Sequence, residues 1–439
     1  MRQWLVAMGL FLAMGTGNAM EADIQEWRTD NGARVLFVER HELPIVDLRL
    51  TFDAGSARDG AQAGLARLTS NLLLEGTAAR NAGEIARSFE RYGARVSTSS
   101  GRDTAELSLR SLSEAARLDP AITSLADVLR GVSFPTDAFE RVRRQMVLGL
   151  RQAESSPADQ AERAFARAIY GEHPYASPPG GTLETVEAID RAQVVAFFER
   201  HYTARNAVIT LVGDLDRQRA EAVSEAVASA LPEGEPLDPL PEVALPETAQ
   251  IVRVPFPAEQ THVLVGQPSV RRGDEAYYPL YLANHVLGGG GLTSILAERM
   301  REERGLSYSS ASRLTSGMRR GRFQMGTQVR NDALGEALRV LRGSLRDLHE
   351  NGPSAERLEA SKRNITGSFP LQLDSNRDLL GYVASIGFHD LPHDYLQRFV
   401  ERIDHLDAAE VQAALRAHIH PDRLVTVLVG PEAVIESVD

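Results

Sequence analysis

The chain has 439 residues, a formal net charge of −12 at pH 7 and no cysteine. This length allows two to four domains with ample hydrophobic cores. The absence of cysteine excludes disulfides, thiolate zinc sites, Fe–S clusters and a cysteine nucleophile. The negative charge, without any basic run, argues against a nucleic-acid-binding protein. The only lysine, Lys362, is not part of a P-loop. The sequence contains no G-x-S-x-G motif, so a hydrolase serine has no support.

The N-terminal sequence predicts export. Arg2 gives a positive start, Trp4 to Met14 form a short apolar run, and Gly17-Asn18-Ala19 provide the small residues of a cleavage site. We therefore expect a signal peptide over residues 1–19 and a mature periplasmic or secreted protein. An uncleaved membrane anchor is the alternative.

Strand and helix patterns alternate through the first half of the mature chain. Helix pairs beside antiparallel strands predict an α+β fold in which helices pack on one face of a sheet. The period-2 pattern is clearest at residues 45–52 and the helical spacing is clearest at residues 82–92. The predicted strands are 34–38, 45–52, 94–99, 104–110 and 206–212, and the predicted helices are 64–76, 82–92, 118–129, 137–152 and 184–201.

The helix predicted between Gly64 and Gly76 carries an unusual polar face. Leucines at i, i+3 and i+7 give it one apolar side. Arg67, Ser70 and Asn71 share another face, at the spacing where a zinc peptidase has the His, Glu and His of an H-x-x-E-H motif. The alternative interpretation of this helix alone is an ordinary amphipathic core helix.

A proline-rich acidic segment at residues 231–248 predicts a linker, because it has no periodic pattern. It separates an N-terminal half at residues 20–230 from a C-terminal half at residues 249–439. The halves also resemble each other in sequence. Residues 194–213 and 411–430 both read as a helix followed by an apolar strand that ends in glycine, and they are 217 positions apart.

The second half contains the most specific sequence. Residues 284–294 read Asn-His-Val-Leu-Gly-Gly-Gly-Gly-Leu-Thr-Ser and precede a predicted helix at residues 295–303. Residues 304–309 follow as Arg-Gly-Leu-Ser-Tyr-Ser. Taken alone, the glycine run predicts a flexible loop before a helix N-terminus, where anions can bind. It matches no dinucleotide fingerprint, because no strand followed by G-x-G-x-x-G is present.

Both motifs resemble the pitrilysin/insulinase-type (inverzincin) zinc peptidases, and the resemblance covers nearly the whole mature chain. Residues 64–77 resemble the first family motif with its metal-binding residues replaced. Residues 284–309 resemble the family's C-terminal half. The resemblance implies an α+β fold of two homologous halves that form half of a clam-like chamber. It also implies that each half contains two related α+β subdomains, each an antiparallel sheet with helices on one face.

The resemblance assigns roles to individual positions. It places Arg301 and Tyr308 in the substrate chamber, where they hold a peptide against the zinc site of another half. Arginine offers a rigid fork of donors, and a tyrosine hydroxyl can donate to a carbonyl oxygen where negative charge develops. The alternative is a surface arginine and a strand-face tyrosine. The third zinc ligand of the family, a Glu, falls at or next to Gly149, with Glu154 out of register by more than a turn.

Every position of the zinc site is therefore replaced, and we expect no catalytic zinc in this chain. Two other histidine pairs do not restore a site. His389 and His393 have metal-binding spacing, but Pro392 lies between them and disfavours a regular helix. His418 and His420 are interpreted as parts of a polar loop.

The simplest hypothesis follows from these replacements. The chain is expected to be the non-zinc subunit of a heterodimeric periplasmic zinc metallopeptidase and to be inactive alone. An H-x-x-E-H paralogue would supply the zinc and the general base, and peptides would be the substrates. The alternative is a catalytically inactive peptide-binding or scaffold protein of the same fold. An enzyme with unrelated chemistry on this fold has only scattered polar residues to support it.

Overall fold

The computed structural model describes residues 23–438 of the chain. The expected signal segment, residues 1–19, lies outside the described residues. Two β-sheets organise the fold. The first contains β1 Ile24–Arg28, β2 Arg34–Glu39, β3 Ile45–Phe52, β4 Arg95–Ser100, β5 Ala105–Leu112 and β6 Ala207–Gly213; the second contains β7 Gln250–Pro255, β8 Gln260–Pro268, β9 Ser310–Leu314, β10 Arg322–Arg330 and β11 Val425–Gly430.

Helices follow the strands of each half in the same general order. The first half contains α1 Leu65–Leu72, α2 Ala82–Glu90, α3 Ala115–Gly131, α4 Thr136–Glu154, α5 Pro157–Tyr170, α6 Leu183–Ala188, α7 Arg191–His201 and α8 Arg217–Ala228. The second half contains α9 Tyr277–Asn284, α10 Ile295–Ala297, α11 Leu334–Asn351, α12 Ala355–Ser368, α13 Asn376–Phe388, α14 Tyr395–His405, α15 Ala408–His418 and α16 Glu432–Ile435.

Five strands follow the same order in both sheets, which confirms the α+β fold with two homologous halves. The first runs β1-β2-β6-β3-β5-β4 and the second β7-β11-β8-β10-β9. Gly213 and Gly430 end the corresponding strands β6 and β11. A Cβ at Gly213 would lie 2.1 Å from the Ile45 carbonyl oxygen, and one at Gly430 would lie 2.6 Å from Thr261 Oγ1. The repeated glycine is therefore required by close strand packing.

Three details of the expected architecture are wrong. Each half is built on one sheet, so the related α+β units are the halves themselves and not pairs of subdomains within them. The sheets are mixed, because β2 pairs with β6, and β7 with β11, in parallel. Helices cover both faces of each sheet, since each half also receives a helix from the other.

Helices α5 and α13 are exchanged between the halves. The α5 helix of the first half lies on the second sheet, where Phe165 is buried with Val427 and Val429 of β11. The α13 helix of the second half lies on the first sheet. A Cβ at its Gly387 would lie 2.7 Å from side-chain carbons of Leu36 and Val208. This reciprocal packing joins the halves through their hydrophobic cores.

Several local differences have identifiable causes. The helix predicted at residues 184–201 is interrupted at Ile189, because Asp190 accepts a hydrogen bond from the Gln193 N–H and begins α7. The motif helix ends at Leu72 and does not reach Gly76. Residues 232–249 contain no helix or strand, and the domain boundaries placed there remain a prediction. Within residues 23–438, no helix combines the length and the apolarity needed to cross a membrane.

Candidate functional site

The degenerate motif helix α1 is fixed at its N-terminus by a buried carboxylate. Asp59 accepts hydrogen bonds from the backbone N–H groups of Gly64 and Ala66, both at 2.7 Å. Gly64 stands at φ +97°, a conformation that favours glycine, and this lets the chain turn into the helix. Burial raises the pKa of Asp59 to about 7. The helix is therefore held in a defined position although no metal ligand remains on it.

The three motif positions of α1 do not share one environment. Arg67 and Asn71 are exposed, and Arg67 donates to the Ser100 carbonyl at the end of β4. Ser70, at the position of the family's catalytic Glu, is completely buried. Its hydroxyl has no hydrogen-bond partner within residues 23–438. A serine fits this packed site, whereas a glutamate would have to bury a carboxylate there.

The fourth expected position lies on a helix that contacts α1. Gly149 belongs to α4, which packs against α1, and a Cβ at this position would meet no atom within 4 Å. Glu154 is the exposed last residue of α4. The structure therefore brings the two helices of the degenerate site together. Its four positions hold arginine, serine, asparagine and glycine, which cannot supply the ligand set of a zinc peptidase.

Burial or hydrogen bonding within the protein accounts for the four histidines of the two pairs. Burial lowers the pKa of His389 to about 4, which keeps its ring neutral at the end of α13. His393 Nε2 lies 2.7 Å from a Glu26 carboxylate oxygen. The Gln267 side chain bonds the backbone groups of His418 and His420. The described part of the chain contains no cluster of three or more His, Asp or Glu side chains arranged to hold a metal ion.

The glycine run of the second half begins inside a packed helical turn, so the expected loop is wrong for Gly288 and Gly289. Residues 285–289 form a π-helical turn that continues α9. A Cβ at Gly288 would lie 2.3 Å from the Ser312 backbone nitrogen of β9, and one at Gly289 would lie 2.7 Å from Asn284 Nδ2. The glycines therefore allow the helix to approach the edge strand closely.

Arg301 lies in a second π-helical turn, Glu298–Glu302, which continues α10. Two ion pairs that the sequence did not suggest anchor this turn. Arg299 pairs with Asp347 of α11 at 2.6 Å, and Glu298 pairs with Arg357 of α12. Only long-range contacts reveal these partners, so no sequence signal within the turn could have found them. The anchoring fixes the backbone that carries Arg301.

The Tyr308 side chain contacts Arg301. The helical turn ends at Gly305, whose N–H donates to the Arg301 carbonyl at 3.1 Å and whose φ is +60°. The chain then brings the Tyr308 ring beneath the Arg301 guanidinium, whose Cζ is 4.7 Å from the ring centroid. The Ser307 hydroxyl bonds both backbone groups of Ser309 and fixes the following turn. The structure thus brings together the two residues that the resemblance singled out.

The Tyr308 side chain is open to solvent, and Arg301 is partly exposed. Tyr308 is 84% exposed, the highest value among the exposed large hydrophobic side chains of the described residues. Neither the Tyr308 hydroxyl nor the Arg301 guanidinium forms a hydrogen bond or ion pair within residues 23–438. The arrangement leaves the donors of both side chains available to a carbonyl or carboxylate of another molecule.

Comparison with known proteins identifies the family. The protein-family model described as "Insulinase (Peptidase family M16)" matches residues 34–182. The family model described as "Peptidase M16 inactive domain" matches residues 188–365. A crystal structure of a peptidase M16 inactive domain from Pseudomonas fluorescens is 37% identical, with a TM-score of 0.90 over 93% of this chain and 98% of that one.

Two curated relatives show lower identity over long alignments. The "Non-peptidase homolog YmxG" of Helicobacter pylori is 25% identical over 98% of this chain and 99% of its own. The "Uncharacterized zinc protease YmxG" of Bacillus subtilis is also 25% identical, over 80% of this chain and 85% of its own. The chain therefore belongs to the M16, or insulinase-type, peptidase family, as an inactive member in which the residues of the metal-binding motif are replaced.

Proposed function

We propose that this chain is the non-zinc subunit of a two-chain M16 peptidase and that it contributes Arg301 and Tyr308 to the site of a catalytic partner. The observation that carries the proposal is the Arg301–Tyr308 pair, in which a partly exposed guanidinium lies over an exposed ring and neither side chain has a polar partner among the described residues. A large side chain that is 84% exposed has no role in the core of this protein.

The chemistry of the pair suits peptide hydrolysis at a partner's zinc. The Arg301 guanidinium can bind a peptide carbonyl or carboxylate through two parallel hydrogen bonds. The Tyr308 hydroxyl can donate to the carbonyl oxygen that becomes an oxyanion during attack. An H-x-x-E-H paralogue would supply the zinc, its ligands and the general-base glutamate. The described surface would complete that site and form part of a closed peptide chamber.

The place of action that we propose is the periplasm. Support comes from the N-terminal sequence, where a positive residue, a short apolar run and a small-residue site follow one another. The absence of cysteine agrees with an exported protein. Peptides or unfolded segments that enter the chamber would be the substrates.

A second candidate is a peptide-binding or scaffold protein with no role in hydrolysis. The description of the Helicobacter pylori relative as a non-peptidase homolog favours it. The same exposed pair would then bind peptides without acting on them. The two candidates differ in one measurable property, because only a catalytic subunit changes the turnover of its partner.

The test uses the purified chain and an H-x-x-E-H paralogue from the same genome. Hydrolysis of a quenched fluorescent peptide is measured for each protein alone and for an equimolar mixture. We expect no zinc-dependent hydrolysis by this chain alone and a marked increase in the mixture. Zinc-dependent hydrolysis by this chain alone would overturn the proposal. Complex formation with unchanged turnover would support the scaffold instead.

A further inference from the structure

The second sheet has an open edge at the place where the first sheet carries an additional strand. In the first half, β1 pairs antiparallel with the outer side of β2. The corresponding strand of the second half is β7, and it is the last strand of its sheet. Within the described residues, no strand pairs with its outer side. The internal repeat therefore defines a vacant strand position beside β7.

The backbone of β7 is oriented to accept a strand there. The Gln250 N–H donates to the Leu424 carbonyl, and the Phe256 N–H donates to the Gly430 carbonyl, so these even-numbered residues bond β11. Backbone groups alternate in direction along a strand, and those of Ile251 and Arg253 consequently point away from β11. They are the counterparts of Val35 and Phe37, which face β1 in the first sheet. Exposed groups of this kind bind extended peptides.

A groove follows this edge on the side of the exchanged helix α5. Its volume is about 640 Å³, and Val252 and Val254 of β7 line its floor. The α5 helix contributes the small side chains of Ala164 and Ala168 to its wall. These small side chains leave space for side chains of an added strand.

The groove has a positive rim. Arg163 and Arg167 line it, and neither forms an ion pair within residues 23–438. No carboxylate lines the groove. The first half shows which pattern such a groove accommodates. Ile24 of β1 is buried on the α13 side, and Glu26 on the same side pairs with Arg34 at 2.8 Å. An apolar residue and an acidic residue two positions later thus fill the equivalent place.

We infer that the outer edge of β7 binds an extended peptide segment whose side chains on the groove side are alternately apolar and acidic. The peptide adds to the sheet antiparallel to β7, as β1 adds to β2. Its main chain bonds Ile251 and Arg253, its apolar side chains contact Val252 and Val254, and its carboxylates pair with Arg163 and Arg167. This site is separate from the Arg301–Tyr308 pair, because β7 and β9 lie at opposite edges of the sheet.

The test is a binding measurement by fluorescence anisotropy on the full mature chain. The probe is a fluorescein-labelled octapeptide of sequence Thr-Ile-Thr-Glu-Thr-Ile-Thr-Glu, and the same peptide with lysine in place of glutamate is the control. We expect saturable binding of the acidic probe and at least tenfold weaker binding of the basic one. The Arg163→Glu/Arg167→Glu variant should bind the acidic probe at least tenfold more weakly. Arg339→Glu, an exposed arginine on α11, is the matched control and should bind normally.

A backbone variant separates strand addition from simple charge attraction. Ile251→Pro removes an outward N–H and leaves the hydrogen bonds to β11 in place. The variant should bind the acidic probe at least tenfold more weakly than wild type. A thermal unfolding curve should confirm that the variant is folded. Wild-type affinity for the acidic probe in Ile251→Pro or in the double-glutamate variant would overturn the inference, and loss of binding only in Tyr308→Phe would assign the probe to the other site. A wild-type dimer that Ile251→Pro dissociates would also overturn it, because a second copy would then be the occupant.

Discussion

The Arg301 guanidinium lies over the Tyr308 ring, with Cζ 4.7 Å from the ring centroid. This contact is on the surface, so its contribution to folding is less than about 1 kcal/mol. We expect Arg301→Ala to lower the free energy of unfolding by less than about 1 kcal/mol and to reduce partner-stimulated hydrolysis strongly. Urea unfolding and the peptidase assay measure the two effects. The matched control is Arg91→Ala, which breaks a similar contact with Tyr92 in the first half and should leave hydrolysis unchanged.

The degenerate motif predicts that zinc binding can be rebuilt. Residues 67 and 71 are exposed one turn apart on α1, and Gly149 on the neighbouring helix α4 faces open space. We expect the Arg67→His/Asn71→His/Gly149→Glu variant to bind one zinc ion, because it restores two imidazoles and a carboxylate. Isothermal titration calorimetry and the absorption spectrum of the cobalt form measure this. Wild type, which lacks the three ligands, is the control. A variant that folds but binds no more zinc than wild type would contradict the placement of these helices.

A separate prediction concerns Ser70. The additional change Ser70→Glu should destabilise the rebuilt variant, because this position is completely buried. Burying a carboxylate in a packed interior without an ion-pair partner or water costs several kcal/mol. Denaturant unfolding of the triple and quadruple variants measures the difference. If both variants unfold at the same urea concentration, Ser70 does not occupy the packed site described here.

The pH dependence of stability has a local source at Asp59. Burial raises its pKa to about 7, above the unfolded value near 3.9. The stabilisation from its protonation is complete below about pH 4 and is lost as the pH rises through 7, an effect on the order of 4 kcal/mol. We expect Asp59→Asn to show a smaller loss of stability between pH 5 and pH 8 than wild type. Urea midpoints at both pH values measure it, and parallel pH profiles would contradict the assignment.

The exchanged helices predict a strong contrast between two helical glycines. A side chain at Gly387 would press against Leu36 and Val208, whereas Gly367 of α12 faces open space. We expect Gly387→Val to cost about 1–3 kcal/mol through overpacking between the halves. Gly367→Val should stay within about 0.5 kcal/mol of wild type. Urea unfolding compares the pair. Equal stability of the two variants would show that α13 does not pack on the first sheet.

Much of the architecture could be predicted because it depends on repeated, regular patterns. The strand at residues 45–52 alternates and has the predicted bounds, since its side chains face two different environments. The 217-residue repeat also placed the two corresponding glycines that end β6 and β11. Helix α5 was missed, although Ser156 caps it and Pro157 begins it. Its apolar face packs on the other half of the chain, and no local pattern reveals such an exchange.

At the candidate site, too, the sequence predicted some features and could not predict others. Family motifs identified Arg301 and Tyr308, and the structure places their side chains together. Sequence could not show that the glycine run is a packed π-helical turn, because that depends on the approach of Ser312 across the sheet edge. It also could not show that Ser70 is buried while Arg67 and Asn71 are exposed. A helical face defined by spacing alone says nothing about what lies opposite it.

The most direct test of the proposed function compares wild type with Tyr308→Phe in the reconstituted complex. The variant keeps the ring beneath Arg301 and removes only the hydroxyl. We predict that kcat of the mixture falls on the order of 100-fold, as expected for loss of an oxyanion donor, while binding between the two proteins is unchanged. An unchanged kcat in a complex that this chain activates would contradict the role of Tyr308 and the shared-site account with it.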